Sequence, residues 1–287
     1  MVADSQSFRE VAQCLGPDRD LVAIRTSPEF GKAARGVLIL NAGVVHRVGP
    51  HRLNVTLARR LAALGLTCWR LDLSGIGDSR PIPGRITFRE SAIQDIRLVM
   101  DEVGADMGIS RFTLVGLCSG ADNALAAAAQ DERIDELLLI DAPAYATRES
   151  RRRRHWSSIP RISGPMDIPR WAYCVLRAFI GSMIPRISSR TSHAEKESSR
   201  KPPPPAEFEQ LMLRLSGRGT RMLLVYSGAL GERYNSRDQL FEAFPTLAGR
   251  LELAYFPDAN HVFTEVEQRL ALLDRMLSWM RASAAAQ

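Results

Sequence analysis

The sequence predicts an α/β fold, with a mostly parallel central sheet, helices on both of its faces and one irregular insert. Three observations predict it. Short apolar runs alternate with amphipathic stretches through most of the chain, the rhythm of repeated βα units. One junction, Gly116-Leu117-Cys118-Ser119-Gly120, separates an apolar run from an alanine-rich one and reads as strand, sharp turn, helix. The rhythm also breaks at Tyr145 and resumes late in the chain, where an insert over the strand ends would sit.

The elements follow in order. Leu21–Ile24 reads as a short strand, and Gly36–Leu40 as a buried strand running into Asn41-Ala42-Gly43. Leu53–Leu64 has apolar residues at helical spacing and closes with Gly65, a residue suited to ending a helix. Thr67–Leu71 is the next strand and Phe88–Val103 an amphipathic helix. Phe112–Leu117 is the strand entering the glycine-flanked turn, and Ser119–Gln130 the helix leaving it. Glu136–Ile140 is a further strand. These make residues 1–144 the first part of the core. The insert, residues 145–216, carries Trp156, Trp171, Tyr173 and Phe179, a candidate helix over Ile168–Ile184, and a stiff four-proline spacer at Pro202–Pro205 before a helical stretch from Glu207 to Leu215. The second part of the core, residues 217–287, holds strands at Arg221–Tyr226 and Leu251–Phe256 and a closing helix over Val262–Arg281.

At 287 residues and 45% hydrophobic content the chain can bury a substantial single core. The N-terminal residues show no basic stretch followed by an apolar one, and no apolar run is long enough to span a bilayer, so a cytoplasmic protein is expected. Cys14, Cys68, Cys118 and Cys174 are far apart with no CxxC pair, which suggests neither a zinc site nor a redox motif; no metal and no cofactor are expected. The net charge of +6 is concentrated in the insert, where twelve Arg and two Lys face six acids; the rest of the chain is slightly acidic. Such a run is commonly a solvated helix face. Its functional reading is a guide for an anionic substrate, an acyl-CoA or a carrier-protein arm. No nucleic-acid module accompanies the charge, and no nucleic-acid partner is expected.

The pattern Gly-x-nucleophile-x-Gly at a strand-to-helix turn marks a nucleophile elbow. Cys118 is central between Gly116 and Gly120; Ser119 as nucleophile would be flanked by Leu117 and Ala121 instead. The alternative is a small buried hydrophobe with no chemistry. A nucleophile needs a base. His261 follows the last strand and precedes the final helix, the place of the base in this chain order. The third member, which orients the imidazole, is expected after a late strand: Glu232 first, with Asp141 and Asp238 as alternatives and Asp258 a weaker one. Backbone N–H groups should hold the oxyanion, one from Ser119 at the start of the elbow helix and one from Gly43 or Val44. His46 and His51 are candidate substrate contacts in the same loop. Arg70–Ser79 has a partial glycine fingerprint but lacks the third Gly, and reads as a rigid turn at the pocket edge.

With Asp72-x-x-Gly75-x-Gly77-x-Ser79, the Gly116–Gly120 elbow and the late His261 in place, the chain resembles the α/β-hydrolase superfamily over nearly its whole length. The segment from Asn41 to Ser79 is similar to the serine-aminopeptidase-like hydrolases, and particularly to those associated with exosortase systems. The irregular insert, residues 145–216, is where a cap over the active site would sit, and the resemblance implies a metal-free esterase, thioesterase or related acyl-transfer activity. Cys118 stands where most members carry Ser; dienelactone hydrolases and polyhydroxyalkanoate synthases also have Cys there. The expected function is an acyl hydrolase working through a Cys-His-acid triad and a covalent acyl-enzyme. The alternatives are acyl transfer from a CoA or carrier-protein thioester, lactone opening, and a noncatalytic binding module.

Overall fold

A computed structural model describes residues 8–29, 35–81, 87–157 and 201–284. Its centre is an eight-stranded sheet in the order β1-β2-β4-β3-β5-β6-β7-β8, with β1 at Phe8–Leu15, β2 at Leu21–Pro28, β3 at Gly36–Ile39, β4 at Thr67–Leu71, β5 at Phe112–Leu117, β6 at Ile134–Ile140, β7 at Arg221–Ser227 and β8 at Glu252–Phe256. β2 alone runs against its neighbours; β4, β3, β5, β6, β7 and β8 are parallel. The helices are α1 (Leu53–Ala62), α2 (Phe88–Met107), α3 (Ser119–Ala128), α4 (Arg148–Ser157), α5 (Pro205–Gly217), α6 (Gln239–Ala243) and α7 (Val266–Ala284).

The sheet is buried on both faces because its central strands are mostly apolar and alternate sides residue by residue. Leu38, Leu114, Leu137, Leu139, Leu224 and Tyr226 pack with α2, α3 and α5. Val37, Ile39, Val115, Leu138, Ile140, Leu223 and Val225 pack with α1 and α7. Each face thus has its own hydrophobic cluster, and the strands are the wall between them. This is the expected α/β-hydrolase architecture.

The interior strands and helices lie within a few residues of the predicted bounds. β1 was not expected. Its sequence, Phe-Arg-Glu-Val-Ala-Gln-Cys-Leu, is half-exposed along most of its length, so no strong alternation betrays it; full pairing with β2 holds it. α4 was not expected either, since its arginine run lacks an apolar stripe. The expected helix over Ile168–Ile184, the insert's Trp171, Tyr173 and Phe179, and Cys174 lie outside the described residues. No helix among the described residues is long and apolar enough to cross a membrane.

Candidate active site

β5 ends by driving the chain through a turn with Cys118 at φ 57° and ψ −117°, a conformation an L residue adopts only where its surroundings enforce it. The surroundings are backbone. Cys118 N–H donates to Ile140 O at 2.9 Å, and Cys118 O accepts from Ala121 N at 3.0 Å. A Cβ on Gly116 would run into the Gly120 carbonyl, and one on Gly120 would run into Asn41 O. Both flanking glycines are therefore required by close backbone approach. Cys118 occupies the apex, half-buried, at the N-terminus of α3.

Asp141 follows β6 directly. It is completely buried and itself has a positive φ of 47°, which Asp tolerates better than most residues. A buried carboxylate needs donors, and Asp141 has them. Its Oδ1 accepts from Ser227 N–H at 2.8 Å and its Oδ2 from Ser227 Oγ at 2.8 Å. Its own N–H donates to Val225 O at 2.8 Å.

His261 lies in the turn between β8 and α7. Asn260 shapes that turn by accepting from Val262 N–H at 3.3 Å and Thr264 N–H at 3.0 Å. The half-buried imidazole presents Nδ1 to Asp141 Oδ2 at 2.6 Å and is hydrogen-bonded to Cys118 as well. The Asp141 contact, and then the Cys118 contact, push the imidazole pKa up from 6.5 to about 10 against the opposing pull of burial. Both partners favour the charged ring.

The carboxylate at the imidazole is Asp141, and the expectation of Glu232 there is corrected. Glu232 is exposed in the 3-10 turn Gly228–Arg233 after β7. Asp238 and Asp258 are exposed too. The reason is register: Ile140 pairs with Val225 across the adjacent parallel strands β6 and β7, so the residues following them emerge side by side. Ser227, missed in the sequence, fills the β7 position as the donor that holds the acid.

The turn after β3 lies against α3. Gly43 N–H donates to Ser119 Oγ at 2.7 Å, so the Gly43 amide points at the elbow but is engaged by a hydroxyl. Val44 is at the turn's tip, 91% exposed. Ser119 is the first residue of α3, where a backbone N–H has no partner within the helix. His46 is exposed, its Nδ1 accepting from Val48 N–H at 3.3 Å. His51 Nε2 is 3.2 Å from Thr264 Oγ1, so it ties the loop before α1 to the turn carrying His261.

The turn that the sequence marked at Arg70–Ser79 fixes the Gly43 turn. Asp72, fully buried after β4, accepts from Arg47 N–H at 2.6 Å, Asn41 Nδ2 at 3.1 Å and Asp78 N–H at 3.2 Å, and pairs with the Arg47 guanidinium. A Cβ on Gly77 would collide with the Asp72 carboxylate. The Asp72-x-x-Gly75-x-Gly77 turn is thus an anchor for residues 41–47. The signal was there, since a buried acid after a strand requires donors.

The described fold and the elbow are those of an α/β-hydrolase. The family model described as serine aminopeptidase, S33, matches residues 33–248, and the chain belongs to that family. No curated protein sequence matches it. Among solved structures, the fold is similar to an esterase from Pyrococcus furiosus (14% identity, 97% of this chain and 92% of that one, TM-score 0.57). It is similar also to a thermophilic esterase from Thermogutta terrifontis (17%, 96% and 98%, 0.54). A lidless α/β serine hydrolase from Xanthomonas campestris matches at 18%, covering 95% of each chain, with a TM-score of 0.53.

Proposed function

We propose that the chain is a cysteine-dependent acyl hydrolase, acting on esters or thioesters through Cys118, His261 and Asp141. The observation that carries this reading is the continuous hydrogen-bonded line from Asp141 through His261 to Cys118 at a strained turn. The esterase function named for fold relatives agrees with it, as does the resemblance of Asn41–Ser79 to exosortase-associated hydrolases.

A thiol ionises far more readily than a hydroxyl. Beside an imidazole that holds its proton up to about 10, the Cys118 proton passes to His261 as the sulfur attacks. Attack is on the acyl carbon; a C–S bond forms and the carbonyl pair moves onto oxygen. That oxyanion takes the Ser119 amide and the Gly43 amide, the Ser119 hydroxyl rotating off the latter. Collapse of the adduct expels alkoxide or thiolate, which takes the proton from His261. Water then attacks the acyl-enzyme, gives a proton to the neutral imidazole and leaves as the carboxylic acid, and that proton returns to the Cys118 sulfur. Asp141 orients Nδ1 and stabilises the imidazolium throughout.

Because the acyl-enzyme is a thioester, an alcohol, amine or thiol acceptor can compete with water. Cys118 itself therefore favours acyl transfer as the second reading. Release of p-nitrophenol and of free acid from p-nitrophenyl butyrate, by wild type and Cys118→Ala, tests the proposal. Wild-type turnover lost in the variant supports it, and equal turnover in both overturns it. Accumulation of an acylated acceptor in place of free acid would favour transfer.

A further inference from the structure

One face of α4 is fastened to the turn after β7. Buried Ser150 donates from Oγ to Glu232 O at 2.8 Å. Arg153, one turn on, binds Asn235 Oδ1 at 2.9 Å and the Glu242 carboxylate at 2.9 Å. The opposite face carries Arg148, Arg151 and Arg152, spaced i, i+3 and i+4 and all exposed. Among the described residues none of these three has a carboxylate partner. Glu149 is the one acid on the helix. By sequence, residues 158–201 carry eight cations and three acids. Trp156 is 56% exposed at i+4 from Arg152.

The helix also has a defined place. It starts shortly after Asp141 and is bonded to the turn after β7, the strand whose last residue, Ser227, holds the Asp141 carboxylate. The helix thus stands at the edge of the sheet from which Asp141 and Ser227 emerge, and none of the hydrogen bonds described for Cys118, His261 or Asp141 is to its arginines. A small neutral ester has nothing to place there. A coenzyme A thioester does: its pantetheine arm holds the phosphates away from the reacting sulfur. Guanidinium forks match phosphate geometry, and an exposed indole offers a stacking face for adenine.

We propose that Arg148, Arg151 and Arg152 bind the phosphates of a coenzyme A thioester, making acyl-CoA the substrate class of the Cys118 site. The proposal rests on the acyl-hydrolase reading above. It is tested by comparing kcat/KM for butyryl-CoA and for butyryl-N-acetylcysteamine, which presents the same thioester without phosphates. The enzymes are full-length wild type and the triple variant Arg148→Gln, Arg151→Gln, Arg152→Gln.

In the triple variant, kcat/KM for butyryl-CoA is expected to fall about tenfold, mainly through KM, and the wild-type rate to weaken with added salt. The N-acetylcysteamine thioester, which also reports whether the variant is folded, should change by less than about twofold, as expected for removal of exposed charges. Equal losses on both substrates, or no loss on either, would overturn the proposal. So would a loss confined to a butyryl carrier protein, which would assign the patch to an acidic protein. Turnover of the neutral thioester without CoA preference leaves the hydrolase reading standing alone. Turnover of neither substrate by wild type defeats both.

Discussion

After β6 the chain turns through Asp141, buries it and surrounds its carboxylate with donors; after β7, one strand over, it runs through an open 3-10 turn in which Glu232 is exposed. The two strands are parallel and in register, so both turns open at the same edge of the sheet and either could bring a carboxylate to His261. What separates them is the supply of donors. A charge taken out of water must be met by hydrogen bonds, and only Asp141 is met, by the amide and hydroxyl of Ser227. The β7 turn contributes the donor and the β6 turn the acid. Chain order therefore tells which edge of the sheet holds the third residue, and the local hydrogen bonds decide which strand delivers it.

Breaking the β6 side should have the larger consequence. Asp141→Asn keeps the shape but removes the charge that orients and stabilises the imidazolium, and kcat should fall on the order of 10²- to 10³-fold, less than for a serine nucleophile because a thiol needs less help. Steady-state hydrolysis of p-nitrophenyl butyrate reads this. Ser227→Ala leaves Asp141 its amide donor but takes the hydroxyl, and roughly a tenfold loss is expected, the worth of one hydrogen bond to a charged group. Glu232→Gln, on the β7 side, should stay within about twofold of wild type, as for an ordinary surface change. A large loss there would invert the comparison.

The charge state offers a sharper reading. An adjacent imidazolium favours the thiolate, so iodoacetamide should alkylate Cys118 with a midpoint well below the ordinary thiol value of about 8.5. The raised His261 pKa means that this help persists as pH rises and is lost only through about 10. His261→Ala should return the midpoint to about 8.5. The smallest effect concerns the Gly43 amide. If the Ser119 hydroxyl must leave it on each turnover, Ser119→Ala should raise kcat/KM about threefold, the size of one neutral hydrogen bond. A fall of that size would make the hydroxyl a third oxyanion donor.

Much of this site was legible in the sequence, because sterics wrote it there. Gly116 and Gly120 are demanded by backbone contact at the elbow, and His261 by its place between the last strand and the last helix. The acid was less legible: Asp141, Glu232 and Asp238 all follow late strands or turns, and burial is a property of the assembled sheet. Ser227 could not be read at all, since a serine ending a strand looks the same whether or not a carboxylate lies beside it. The edge strand β1 was hidden for a related reason, being held by pairing with β2 and carrying little apolar pattern of its own.

The central claim is covalent acyl chemistry at Cys118, and intact-protein mass spectrometry during turnover of an activated ester tests it most directly. Wild type is predicted to gain one acyl group, mapped by peptide digestion to Cys118, that decays in water and more slowly in Asp141→Asn; Cys118→Ala should gain none. An acyl group on Ser119, or turnover with no adduct in wild type and full activity in Cys118→Ala, would contradict the account.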